Sequence, residues 1–214
     1  MNREEIKKAI LKNKAVAVVR MKDPANLVKV IEALMNGGVT GIELTMTIPN
    51  ALEAIKTASQ VFGDKILLGV GSVTNSKMAF NAIDAGAEFV VCPIYKPQVV
   101  DDVLGRDKVV IPGCFTPSEI QNAYEQGADF VKVFPADNLG MSFIKSVKAP
   151  LPHLNLIPTG GVTIDNAIDW INHGACAVGI GSALVDNKAI ENGDFGLLTE
   201  KAKKLCSNLG LNQE

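Results

Sequence analysis

Three ionisable side chains sit inside or at the end of apolar runs. Arg20 closes AVAVVR (15–20), Glu43 interrupts GIELT (41–45), and Lys132 lies within FVKVFP (130–135). Runs this short and rich in β-branched residues read as strands buried on both faces, where an ionisable group is costly to desolvate. Alternation places Lys132 on the face of Phe130 and Phe134, opposite Val131 and Val133. An ammonium held out of water gives up its proton more readily, and the amine that remains attacks carbonyl carbon to form a Schiff base. Glu43 has two readings: a structural ion pair with Lys132 or Arg20, or a group that moves protons between carbinolamine, imine and enamine. Arg20, at a strand's C-terminal end, is placed to hold a carboxylate through its guanidinium fork.

Glycine-rich segments follow other apolar runs. PTGGV (158–162) and GIGSAL (179–184) each follow a strand-like stretch, and glycine lets backbone N–H groups approach an anion closely. GVGS (69–72) offers Ser72 to a carboxylate or carbonyl, or is a plain tight turn.

The elements that must carry these groups follow one grammar. ALMNGGVTGIELTM (33–46), AIDAGAEFVVCPIY (82–95), AYEQGADFVKVFP (123–135) and WINHGACAVGIGSAL (170–184) each run from a helical stretch through glycine into an apolar strand. Gly38, Gly86, Gly127 and Gly174 sit where a helix C-cap needs a left-handed residue. A further apolar run falls inside each interval. The expected strands are 15–20, 41–46, 66–71, 88–92, 108–112, 129–134, 155–158 and 176–181, with helices between them and a weaker one near 97–104. Amphipathic helices precede the first strand and fill 194–209. Asp23-Pro24 and Thr116-Pro117 read as helix starts, and Thr163 or Asp165 as the cap of the helix after PTGGV. Eight strand–helix units without a linker predict one domain over 1–214, a compact (β/α)8 TIM barrel with an additional N-terminal helix. The competing arrangement is a doubly wound open sheet. In a barrel, the loops after the last two strands form a recurrent phosphate cradle.

Composition limits the chemistry. The 214 residues carry 21 Lys+Arg against 23 Asp+Glu, a net charge of −2, with no broad electrostatic footprint for nucleic acid or an anionic membrane. No apolar stretch is long enough to span a bilayer, and MNREEIKKAILKNK is too charged for a signal peptide, so the expected location is the cytoplasm. Cys92, Cys114, Cys176 and Cys206 are widely spaced and read as small buried hydrophobes. Two histidines and scattered cysteines supply no metal-ligand spacing, so neither a metal nor a cofactor is expected. The residues alone thus describe a barrel enzyme with a Schiff-base lysine acting on a phosphorylated oxo-acid or sugar. A phosphosugar isomerase or epimerase, and a non-catalytic phosphometabolite-binding barrel, are the rivals.

The segments AVVR, GGVTGIELTMT, GVGSVTN, AGAEFVVCP, IPGCFTPSE, ADFVKVFPADNLG, PHLNLIPTGGVT and AVGIGSALV make the resemblance specific. The chain resembles the class I 2-keto-3-deoxy-6-phosphogluconate (KDPG) and 4-hydroxy-2-oxoglutarate (KHG) aldolases almost end to end. The resemblance implies that Lys132 forms the imine with a pyruvyl carbonyl and that Glu43 is the acid/base. It implies that Ser72, where the family usually has Thr, and Thr159 hold the carboxylate or carbonyl, with Pro93 and Phe134 lining the pocket. Gly160, Gly161, Gly181 and Ser182 would take the distal phosphate, and a homotrimer is implied. Many relatives carry Arg where this chain has Thr47, and Arg20 is expected to supply that guanidinium. The implied substrate is a phosphorylated 2-keto acid, KDPG, with the galactonate epimer or 4-hydroxy-2-oxoglutarate as alternatives.

Overall fold

A computed structural model describes residues 1–211; the last three positions of the expected 1–214 domain lie outside the described residues. Among the described residues nine strands appear: β1 (Ala15–Val19), β2 (Gly41–Thr45), β3 (Leu67–Gly71), β4 (Phe89–Val91), β5 (Val109–Ile111), β6 (Gly113–Cys114), β7 (Val131–Val133), β8 (Leu156–Pro158) and β9 (Val178–Ile180). The count exceeds the expected eight because Pro112, which has no N–H for the ladder, divides one run into β5 and β6. All pairings are parallel. One sheet is ordered β5-β4-β3-β2-β1-β9 and the other β6-β7-β8.

The two sheets meet on both sides. At one seam Pro112 passes the chain from β5 to β6, and its carbonyl accepts from the Lys132 N–H at 2.9 Å. At the other, Cys176 N–H donates to the Leu156 carbonyl at 3.0 Å and Thr159 bridges Gly179. The result is a curled parallel α/β sheet with helices on its outer face. Ala17, Ile42, Leu44, Val70, Val90 and Val131 pack outward against those helices. The opposite face holds a separate apolar cluster that includes Phe89, Val109, Phe130 and Ile157.

Helix α1 (Arg3–Asn13) inserts Ile6 and Ile10, both 0% exposed, into that inner cluster. It starts with a capping box in which the Asn2 side chain accepts from Glu5 N–H and the Glu5 carboxylate accepts from Asn2 N–H. The expected cap glycines Gly38, Gly86, Gly127 and Gly174 all have positive φ, between 94° and 114°. Thr116 caps the helix Pro117–Glu125 as expected. Asp23 instead caps a short 3-10 turn, Pro24–Asn26, that leads into the helix Leu27–Asn36. The weaker helix near 97–104 is fully formed as Pro97–Leu104.

The helix after PTGGV starts later than expected, at Ala167, and neither Thr163 nor Asp165 caps it. Thr163 and Asn166 bond each other reciprocally, and the Asn166 amide donates to the Gly161 carbonyl at 3.0 Å. These side-chain bonds compete with the first helical turn and tie the glycine loop in place.

Candidate active site

The inner face changes character along single strands. On β7 the position before the strand, Phe130, is 0% exposed among apolar neighbours, and two residues on Lys132 is 6% exposed. Lys132 stands opposite Gly113 on β6 and Ile157 on β8. Val131 and Val133 pack into the outer core, so the alternation expected from sequence holds. The Lys132 amine lies 4.7 Å from the centre of the Phe134 ring.

Glu43, in the middle of β2, is 4% exposed. Its Oε1 lies across the backbone of Gly71, and a Cβ at position 71 would collide with the carboxylate. Among the described residues every ion pair is elsewhere, and neither Lys132 nor Arg20 reaches pairing distance of Glu43. The structural ion pair, one of the two readings for Glu43, is therefore not made. Burial pushes the Glu43 carboxyl above its ordinary range, and the charges of Lys132 and Arg20 pull it partly back. Nearby Cys92 is raised to about 12 by the same burial, which leaves its thiol protonated.

Two cavities share this end of the sheet. The inner one, about 10 Å³, brings Lys132 and Glu43 together with Thr159 and Gly179. Thr159 and Gly179 also line the outer one, about 260 Å³, so the amine and carboxylate adjoin the larger space. Thr159 lies directly over Gly179, leaving no room there for a side chain.

The outer cavity gathers Arg20 and Phe134 with both glycine loops, Gly160–Gly161 and Gly181–Ser182. Gly160 and Gly161 have φ of 100° and 69°, and a Cβ at Gly161 would lie 2.6 Å from that of Asp137. The loop thus requires glycine on both conformational and steric grounds. Arg20 is exposed and stands with the glycine loops on the wall of this outer cavity.

Ser72 and Pro93 line neither cavity. Ser72 follows β3 with φ of 62°, a left-handed conformation unusual for serine. Pro93 packs its carbonyl against Gly113, the register partner of Lys132. Thr47 is exposed, and its hydroxyl lies 2.8 Å from that of buried Thr45. Sequence reasoning missed Asn187, on the outer cavity wall, because a lone asparagine after a strand carries no motif. It also left out Gly71 and Gly179, although both lie inside the glycine motifs it had marked.

A buried amine and carboxylate in one small cavity, adjoining a glycine-walled pocket at the C-terminal ends of parallel strands, define an α/β enzyme suited to a small anionic molecule. Residues 6–200 match the family model described as KDPG and KHG aldolase, and the chain belongs to that family. It is 33% identical over 204 residues to a 2-dehydro-3-deoxy-phosphogluconate aldolase of Treponema pallidum, covering 95% of this chain and 97% of the relative. A 2-dehydro-3-deoxy-6-phosphogalactonate aldolase of Escherichia coli is 31% identical, over 79% of this chain and 83% of its own. Among solved structures, the KDPG aldolase of Legionella pneumophila with pyruvate captured as a covalent carbinolamine superposes with a TM-score of 0.88. It is 26% identical and covers 93% of this chain and 97% of its own.

Proposed function

We propose that this chain is a class I aldolase that reversibly cleaves 2-dehydro-3-deoxy-6-phosphogluconate to pyruvate and glyceraldehyde 3-phosphate. The observation that carries the reading is the pairing of Lys132 with Glu43 in one buried cavity that adjoins the glycine-walled pocket.

The Lys132 amine attacks C2 of the keto acid to give a carbinolamine, which loses water to become an iminium. The iminium accepts the electron pair released when the C3–C4 bond breaks as the C4 hydroxyl passes its proton to the Glu43 carboxylate. Glyceraldehyde 3-phosphate departs and an enamine of pyruvate stays on Lys132. Glu43, a carboxyl that burial pushes toward its neutral form, returns that proton to C3 of the enamine, and water releases pyruvate and the free amine. Thr159, next to both cavities, is assigned to the pyruvyl end, with Ser72 and Pro93 behind it. The distal phosphate falls to Gly160, Gly161, Gly181 and Ser182. Arg20 shares their cavity, and we assign its guanidinium to the phosphate end of the substrate.

The seams at Pro112 and at Thr159–Gly179 support reading the curled sheet as a closed (β/α)8 barrel of one domain over 1–214. A homotrimer in the cytoplasm completes the proposal. No helix among the described residues is long and apolar enough to cross a membrane.

Borohydride reduction in the presence of pyruvate tests the chemistry. A mass increase confined to the peptide bearing Lys132 is expected, and an unmodified protein overturns the imine. The galactonate-aldolase relative supports a second reading with the same chemistry on the C4 epimer. Comparing kcat/KM for the two epimers and for 4-hydroxy-2-oxoglutarate decides between the substrates.

A further inference from the structure

A second cavity of about 240 Å³ lies beside the outer one, and Asn187 lines both. Its other lining residues include Lys22, Asp23 and Glu191, with Met21 and Ile190. The two cavities differ in charge. The first presents the Arg20 guanidinium and backbone glycine loops, whereas the second presents two carboxylates to one ammonium. An anion is therefore favoured on one side of Asn187 and opposed on the other.

The backbone carrying Asn187 is held firmly. Val185 N–H donates to the Gly181 carbonyl at 2.9 Å. The Asp186 carboxylate accepts from the N–H groups of Lys188 and Ala189 and from the Lys201 ammonium at 2.8 Å. The Asn187 carboxamide itself makes no hydrogen bond to the protein among the described residues, and it is exposed. A neutral donor on a fixed backbone, free of internal partners, thus stands between an anion pocket and a pair of carboxylates.

We propose that Asn187 is a specificity-determining residue that selects a terminal phosphate. Its Nδ2 donates to a phosphoryl oxygen held by Arg20 and the glycine loops, and its neutral bulk screens that anion from Asp23 and Glu191. This inference rests on the phosphorylated-substrate reading above and deepens it. Asn187 touches the end of the substrate remote from the bond that breaks, so its effect falls on binding of the phosphorylated substrate.

The test compares wild type with Asn187→Asp and Asn187→Ala on 2-dehydro-3-deoxy-6-phosphogluconate and on unphosphorylated 4-hydroxy-2-oxoglutarate, with inorganic phosphate as a competing probe. The aspartate adds like charge beside the phosphate. It is expected to raise KM for the phosphorylated substrate and Ki for phosphate together, by about a hundredfold. The alanine removes one charge-assisted hydrogen bond and joins the cavities, raising both about tenfold. In both variants kcat stays within about twofold, and 4-hydroxy-2-oxoglutarate, whose shorter chain ends in a carboxylate and not a phosphate, loses no more than about threefold in kcat/KM. Equal losses on the two substrates, or KM and Ki unmoved in Asn187→Asp, overturn the proposal. If wild type itself shows no preference for the phosphorylated substrate and no trapped pyruvate adduct, the aldolase reading fails first, before either variant is made.

Discussion

The two ends of the inner face are built from the same strands and do opposite things. Toward the strand N-termini, Phe89, Val109 and Phe130 meet Ile6 and Ile10 of α1 in an apolar plug. One inward-facing step further on, Lys132 and Glu43 occupy positions that packing alone would give to leucine or valine. The plug contributes hydrophobic stability that offsets the cost of burying two ionisable groups just above it. Stability and chemistry are thus segregated along the strand axis, and substitutions at the two ends should separate them.

The largest separation is expected from Lys132→Met, which keeps the length of the side chain and removes the amine. Turnover should fall by a factor on the order of 10⁴ or more, while the unfolding midpoint in urea holds or rises. A marked loss of stability in this variant would break the comparison, because Lys132 would then be part of the scaffold.

Glu43→Gln sharpens the comparison through pH. The folded protein raises this carboxyl's pKa, so the group's contribution to stability is complete below its unfolded value, about 4.3, and is lost as pH rises through the higher folded value. The neutral amide escapes that loss. Its stability should exceed that of wild type near neutral pH, with the gap closing toward pH 4, while kcat drops by about 10³-fold. Parallel denaturation curves across pH check this, and a gap that widens on acidification contradicts it.

At the other end, Ile10→Ala should cost about 3 kcal/mol of stability and leave the kcat of the folded fraction within about twofold. Thermal unfolding together with an active-site titration by borohydride trapping separates the two quantities. A fall in kcat at full occupancy would mean the plug sets the geometry of the amine.

Much of this division is legible in the sequence. A charge inside an apolar run is a local signal, and period-two alternation correctly gives Lys132 the inner face and its valine neighbours the outer one. The helix-ending glycines and the two glycine loops are also local, since they follow from backbone conformation. What stays hidden depends on distant contacts. Nothing near Asn187 in sequence shows that it shares cavities with Arg20 and Asp23, because the short helix Asn187–Glu191 is held there by the Asp186–Lys201 pair. The need for glycine at position 71 comes from Glu43, on a neighbouring strand. Arg20 reads from sequence as a carboxylate ligand, and only the packing of β1 against β9 places it beside the glycine loops.

The plug made by Ile6 and Ile10 has one more consequence, for traffic. With that end filled, the proposed reading has the substrate enter from the opposite end, through the glycine-walled cavity, with its keto end innermost. On that reading, when the carbon chain is cut, the phosphorylated aldehyde stands between the lysine-bound three-carbon fragment and the exit. Departure is therefore sequential: the aldehyde leaves first, and pyruvate, held covalently at the blind end, leaves last. In the synthetic direction pyruvate must load first, so a site already charged with pyruvate is the form that receives the aldehyde.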